Sequence, residues 1–188
     1  VVRADRLSLL FGGIFCITGA LAALYASHDG DVKQQVTAML YTAGAVGVSF
    51  AGDLITLYFF WELLAIAGTV LVWSGGTRAA TRAGKRYVLL HLVGGGVLLA
   101  GIVLHVVQTG SIHFGTFDHS TPTLAAGLIL AGFCINAGVP PLHAWIPDAY
   151  PRASVAGSVF LAAMTTKSAV YALLRGFAGW EILVPLGV

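Results

Sequence analysis

The chain has 188 residues, 57% of them hydrophobic and only 10% charged, with a mean hydropathy of +0.87. Globular domains carry about 25% charged residues, so a water-soluble fold is excluded. Ten Lys or Arg against eight Asp or Glu leave a net charge of +2, too balanced for a nucleic-acid-binding surface, and the solvent that remains is lipid.

A transmembrane helix needs about 20 predominantly apolar residues to cross a hydrocarbon core of about 30 Å. In chain order the sequence offers Leu7 to Ala26, Val36 to Gly52, Leu54 to Trp73, Tyr87 to Val107, Thr123 to Val139 and Ser154 to Leu174. The runs are continuously apolar, not alternating every second residue, which favours helices over a β-barrel. They recur along the whole chain, unlike the single short apolar stretch of a signal peptide. The prediction is an all-α integral membrane protein of about six spans. The chain opens on Val1 instead of Met and its last apolar run begins only at Trp180, as expected of a fragment.

Orientation follows from the basic residues. Arg78, Arg82, Lys85 and Arg86 form the densest positive cluster, in the segment from Ser74 to Arg86 expected as a loop, and place that end in the cytoplasm with Lys33 and Arg152. Arg3, Arg6 and Arg175 fall on the opposite side. Glycines lie within the second, fourth and fifth spans, among them the triplet Gly94 to Gly96, and small residues let helix backbones approach closely. The triplet is no phosphate loop, because no strand precedes it and no Walker lysine follows.

Two ionisable residues fall deep inside spans, Glu62 and Lys167. A charge at the helix centre costs about 2.5 to 3.5 kcal/mol on insertion scales, so such residues mark function, and a coupled Glu62–Lys167 proton relay is expected. Their alternative is a purely structural pair. His91, one helical turn below Tyr87, is a further candidate for proton transfer, with a hydrogen-bonded interface histidine as its alternative. His105 reads as an interfacial anchor, and Asp53 as a tight solvent-facing turn. His113, Asp118 and His119 match no metal-site spacing, Cys16 and Cys134 show no CxxC, and no cofactor or metal is expected.

The stretch from Asn136 to Arg152 reads NAGVPPLHAWIPDAYPR. Pro140 and Pro141 cannot continue a helix, so the fifth span breaks near Asn136. Broken helices at membrane depth line water cavities or ion sites. Asn136, His143 and Asp148 are therefore expected to form a polar site at the break.

FFWELLAIAG around Glu62, GVPPLHAWIPDAYPRASVAGSVF from Gly138 to Phe160, and TTKSAVYALLR from Thr165 to Arg175 resemble the antiporter-like membrane subunits shared by Mrp-type sodium/proton antiporters and respiratory complex I. The D-type antiporter subunit and its NADH:quinone oxidoreductase counterparts are the most similar. The resemblance implies two inverted five-helix repeats, each with a broken helix. On that reading residues 1–35 form a leading helix and loop, 36–176 the first repeat, and 177–188 the start of a further helix. It further implies that Glu62 and Lys167 take part in protonation events along the membrane plane, in a bacterial inner membrane, among other membrane subunits. The resemblance implies H⁺ and Na⁺ as the candidate ions, and these residues do not decide between them. Family members commonly carry a lysine where this chain has Asn136, and an amide cannot change charge. A structural scaffold subunit without its own conduction is the competing function.

Overall fold

The computed structural model describes residues 1–28 and 31–187; Asp29 and Gly30, in the expected leading loop, and Val188, at the end of the last apolar run, lie outside the described residues. The chain folds into helices α1 (Arg6–Ala26), α2 (Val32–Phe50), α3 (Leu54–Trp73), α4 (Arg78–Thr109), α5 (Leu124–Ala137), α6 (Trp145–Ala149), α7 (Val155–Gly176) and α8 (Leu183–Leu186). Single 3-10 turns at Leu142–Ala144 and Tyr150–Arg152 flank α6.

Helix starts are set by capping side chains. Asp5, Asp31, Asp53, Thr77, Thr123 and Ser154 each accept a backbone N–H from the first turn of α1, α2, α3, α4, α5 and α7. This chemistry moves two expected boundaries. Helix α4 begins at its Thr77 cap, so Arg78, Arg82, Lys85 and Arg86 stand on its first turns and not in a loop. Helix α2 likewise begins at Val32, four residues before the expected apolar run, because Asp31 caps it. The supposed solvent-facing turn at Asp53 is also corrected. Asp53 is 5% exposed, accepts Thr56 N at 2.7 Å, and pairs as an isolated bridge with His113.

Among the described residues five segments are long and apolar enough to cross a membrane: Arg6–Ala26, Leu54–Trp73, Arg78–Thr109, Leu124–Arg152 and Val155–Gly176. The sixth expected span, α2, is 19 residues long but opens on Lys33, Gln34 and Gln35, and packs between α1, α3 and α7. The helices alternate in direction, so two rims form. At one, Ser74 Oγ donates to Ser154 Oγ (2.9 Å) and Ser154 Oγ to Gln34 Oε1 (2.8 Å), tying α3, α7 and α2. At the other, Arg175 on α7 donates to both oxygens of Asp5 (2.9 and 2.7 Å) and to Ser8 Oγ (2.9 Å). The Arg175 guanidinium holds the Asp5 carboxyl well below the usual carboxylate range, the Ser8 amide and hydroxyl adding to the effect while burial opposes it.

Glycines allow the close approach that the sequence suggested. A Cβ on Gly101 would lie 2.8 Å from Ile129 N, and one on Gly132 would lie 2.7 Å from Leu98 Cβ, so α4 and α5 touch almost backbone to backbone.

The candidate proton-transfer site at the broken helix

Helix α5 stops at Gly138, whose φ of +73° is a left-handed conformation that suits glycine. The stop frees carbonyls at membrane depth, where they must be satisfied internally. Val139 N donates to Cys134 O (3.1 Å), and the indole Nε1 of Trp145 donates to Ile135 O (3.1 Å). Trp145 is thus a buried cap on the broken helix.

The same indole organises a histidine. Its ring lies edge-on to His91, centroids 4.7 Å apart, and to Tyr87 at 5.5 Å, while the Tyr87 and His91 rings stack at 3.9 Å. His91 Nδ1 donates to Tyr87 O at 2.9 Å, since a carbonyl can only accept, and this leaves Nε2 as the free ring nitrogen. His91 is 1% exposed and its Nε2 has no protein partner.

One turn further along α4, Gly95 makes room for Glu62 of α3. A Cβ there would sit 2.1 Å from Glu62 Oε1, so the carboxylate rests directly on the glycine backbone. Glu62 is half-buried, Tyr58 one turn earlier interacts with its carboxyl group, and Oε1 is buried without a hydrogen-bond partner. Asn136 Oδ1, Tyr150 Oη and Ser168 Oγ are buried and unpartnered too. Gly68 admits the Tyr87 hydroxyl, 2.5 Å from where its Cβ would be, beside the Tyr41 ring, and the Tyr41 hydroxyl is hydrogen-bonded to Thr165 of α7. A string of polar and aromatic contacts therefore runs from Glu62 past Gly95 and His91 to Tyr87, Tyr41 and Thr165. Buried polar atoms are normally paired, so a concentration of unpaired ones is unusual for a packed helix interior.

The structure separates some of the expected partners. Glu62 and Lys167 form no ion pair. Lys167 is exposed at the edge of the buried face of α7, in line with Ala163, Val170 and Leu174, with Nζ donating to Ala162 O at 2.7 Å. The polar site at the break is divided as well. Asn136 is buried, His143 is exposed, and Asp148 is held at the rim by Arg86 of α4 (2.7 and 2.8 Å) and by Arg152. Among the described residues no cluster of three His, Cys, Asp or Glu is placed to hold a metal. The Asp118 carboxyl is held below the ordinary value by the Ser120 and Thr121 hydroxyls and the Ser120 amide, local turn chemistry only.

Packed apolar helices, one of them broken beneath a line of unpaired polar groups, are the architecture of a polytopic membrane protein. The chain belongs to the family described as NADH:quinone oxidoreductase/Mrp antiporter, transmembrane, which it matches over residues 51–183. It is 29% identical to the N-type subunit of the NADH-quinone oxidoreductase of Deinococcus radiodurans, over 95% of this chain and 39% of that protein. With the D-type subunit of the Na(+)/H(+) antiporter of Bacillus subtilis the identity is 27%, over 94% of this chain and 38% of the other. Among solved structures it superposes on the Mrp complex of Dietzia sp. with a TM-score of 0.85 at 27% identity, over 94% of this chain and 35% of that one. On respiratory complex I of Thermus thermophilus the TM-score is 0.82 at 25% identity, over 97% and 43% of the two chains. The chain spans about two-fifths of the length of these curated relatives.

Proposed function

We propose that the chain is a proton-conducting module within one membrane subunit of a larger assembly, either a monovalent cation/proton antiporter or a redox-driven proton pump, in a bacterial inner membrane. One observation carries the reading. The carboxylate of Glu62 is held at mid-membrane on Gly95, one helical turn from the unpartnered Nε2 of His91, at the head of the polar string. A carboxylate so placed is costly unless it exchanges a proton or an ion. Family membership supports the same reading, and the names of the relatives span a sodium/proton antiporter and NADH-quinone oxidoreductases.

On this proposal Glu62 is the charge-bearing group, and His91 and Asn136 carry the proton path past the break as hydrogen-bonding groups. Lys167 serves the outer face of α7, towards other membrane subunits or other parts of the same protein. His143 and Asp148 belong to the rim, where Asp148 fixes the broken helix to α4 through Arg86.

The test is Glu62→Gln in the assembled complex, followed by proton-gradient formation in sealed vesicles with subunit abundance checked. The expected result is loss of most ion-coupled transport at normal abundance. Wild-type transport would overturn the proposal and leave the scaffold function in its place.

A further inference from the structure

The outer face of α4 changes character along its length. Arg78, Arg82 and Lys85 are exposed and, among the described residues, make no ion pair or side-chain hydrogen bond. Below them, on the same face, come Leu89 (64% exposed), Leu92, Val93, Val103 and Val107 (77% exposed). At 3.6 residues per turn all eight fall within a sector of about 120°. One continuous helix thus presents a cationic upper band and an apolar lower band in a single line.

Heights along the helix agree with a bilayer. The 20 residues from Leu89 to Gln108 cover about 30 Å at 1.5 Å per residue, the thickness of the hydrocarbon core. Lys85 and Arg82 then stand about 6 and 10 Å above its edge, in the headgroup layer, with Arg78 one turn higher on a long side chain that reaches back. Trp73 marks the same level. It is 42% exposed, its Nε1 donates to Thr81 O at 3.3 Å, and it lies over Gly84, as an interfacial tryptophan does.

Among the described residues no acid at this rim is left to neutralise the three cations. Of the acids described there, Asp31 caps α2, and Asp148 is taken by Arg86 and Arg152. Arg86 is therefore a clamp and not part of the band. We infer that Arg78, Arg82 and Lys85 form a binding surface for the phosphate headgroups of acidic phospholipids, whose acyl chains lie along Leu89, Leu92 and Val93. Each basic residue near an anionic surface adds to the attraction, and the three together enrich acidic lipid several-fold over zwitterionic lipid at this face.

The test uses the assembled complex, its other reactive cysteines replaced, with Thr81→Cys carrying a fluorophore. It is reconstituted into vesicles holding equal amounts of phosphatidylglycerol and phosphatidylcholine, one or the other bearing a headgroup quencher. The expected result is quenching several-fold stronger by the labelled phosphatidylglycerol, with the difference weakening as salt is raised. Replacing Arg78, Arg82 and Lys85 together by Gln should bring the two lipids to equal quenching, while Arg78→Lys with Arg82→Lys keeps the preference. Equal quenching in the parent protein would overturn the inference. So would a label shielded from both lipids, which would show that a protein neighbour covers the face.

Discussion

Gly95→Ala separates the placement of Glu62 from the stability of the bundle. The new methyl would lie 2.1 Å from Glu62 Oε1 and 3.1 Å from its carboxyl carbon, so the oxygen must withdraw by about 1.3 Å to reach an ordinary contact of 3.4 Å. What must move is the tip of a flexible side chain, and alanine is the better helix former by about 1 kcal/mol. Helix packing is therefore expected to change by less than about 1 kcal/mol. Misplacing a reacting group by about 1 Å can cost up to 100-fold, so transport should fall at least about tenfold. Two neighbours supply the controls. A Cβ at Gly96 meets nothing within 4 Å, and Gly96→Ala should match the parent in abundance and transport. A Cβ at Gly101 meets Ile129 N at 2.8 Å, where backbone cannot yield, and Gly101→Ala should lower abundance by forcing α4 from α5, at about 1 to 3 kcal/mol. The assay is proton-gradient formation in vesicles, normalised to assembled complex. Full transport by Gly95→Ala at parental abundance would refute the assignment of Glu62 to the conducted path.

Asp5→Ala strands the Arg175 guanidinium, which is 4% exposed, and should cost about 3 kcal/mol by thermal unfolding in detergent. Because the Asp5 carboxyl is depressed in the folded chain, the stability it contributes is fully present above the ordinary carboxylate value of 3.8 and is lost as pH falls below it; the Asp5→Ala variant should show a flatter acid limb. Trp145→Phe keeps the ring beside His91 and removes the donor to Ile135 O, so it should lower stability by about 1 to 2 kcal/mol, seen as a reduced unfolding temperature; an unchanged midpoint would show that the indole bond is dispensable. A cysteine at Thr81 should be labelled from the cytoplasmic side, together with one at Lys33 and opposite one at Asp118; labelling of Thr81 and Asp118 from one side would contradict the two rims.

The apolar runs were legible because lipid imposes a length and a composition on any helix that crosses it. Their ends were less so. The basic first turns of α4 look like a loop when apolar residues alone are counted, and only Thr77, placed to accept Ala80 N, marks the true start. The proline-rich break was readable from residue type, since proline excludes itself from a helix interior. The role of Trp145 was not, because its partner Ile135 O is a backbone group made available only by that break. Tyr87 and His91 carried the one local signal of the string, a spacing of four on a helix. Its continuation to Tyr41 and Thr165 depends on how α2 and α7 pack and left no mark in the sequence.

Glu62 and Lys167 make no direct ion pair, and the way the fold parts them bears on the proposed function. Both residues lie at membrane depth, which sequence can show, but pairing depends on which faces of α3 and α7 meet. On α7 Lys167 stands next to the row of Phe160, Met164 and Tyr171 but at the edge of the buried face, in line with the half-buried Ala163 and Val170 and the exposed Leu174, and its side chain is exposed. An ammonium group at that exposed edge, donating only to Ala162 O, keeps donors free for another chain or another part of its own, whereas Glu62 points inward to Gly95. Asn136 fits this division. It gives the broken helix a buried hydrogen-bonding group that carries no charge, while the ammonium group of Lys167 stands exposed on α7. Lys167→Ala should therefore leave the unfolding temperature of the module nearly unchanged while reducing transport in the assembled complex. Asn136→Ala should disturb the interior path itself. A loss of thermal stability in Lys167→Ala as large as that in Asp5→Ala would show that Lys167 holds the bundle together, and would remove the argument that it serves the boundary.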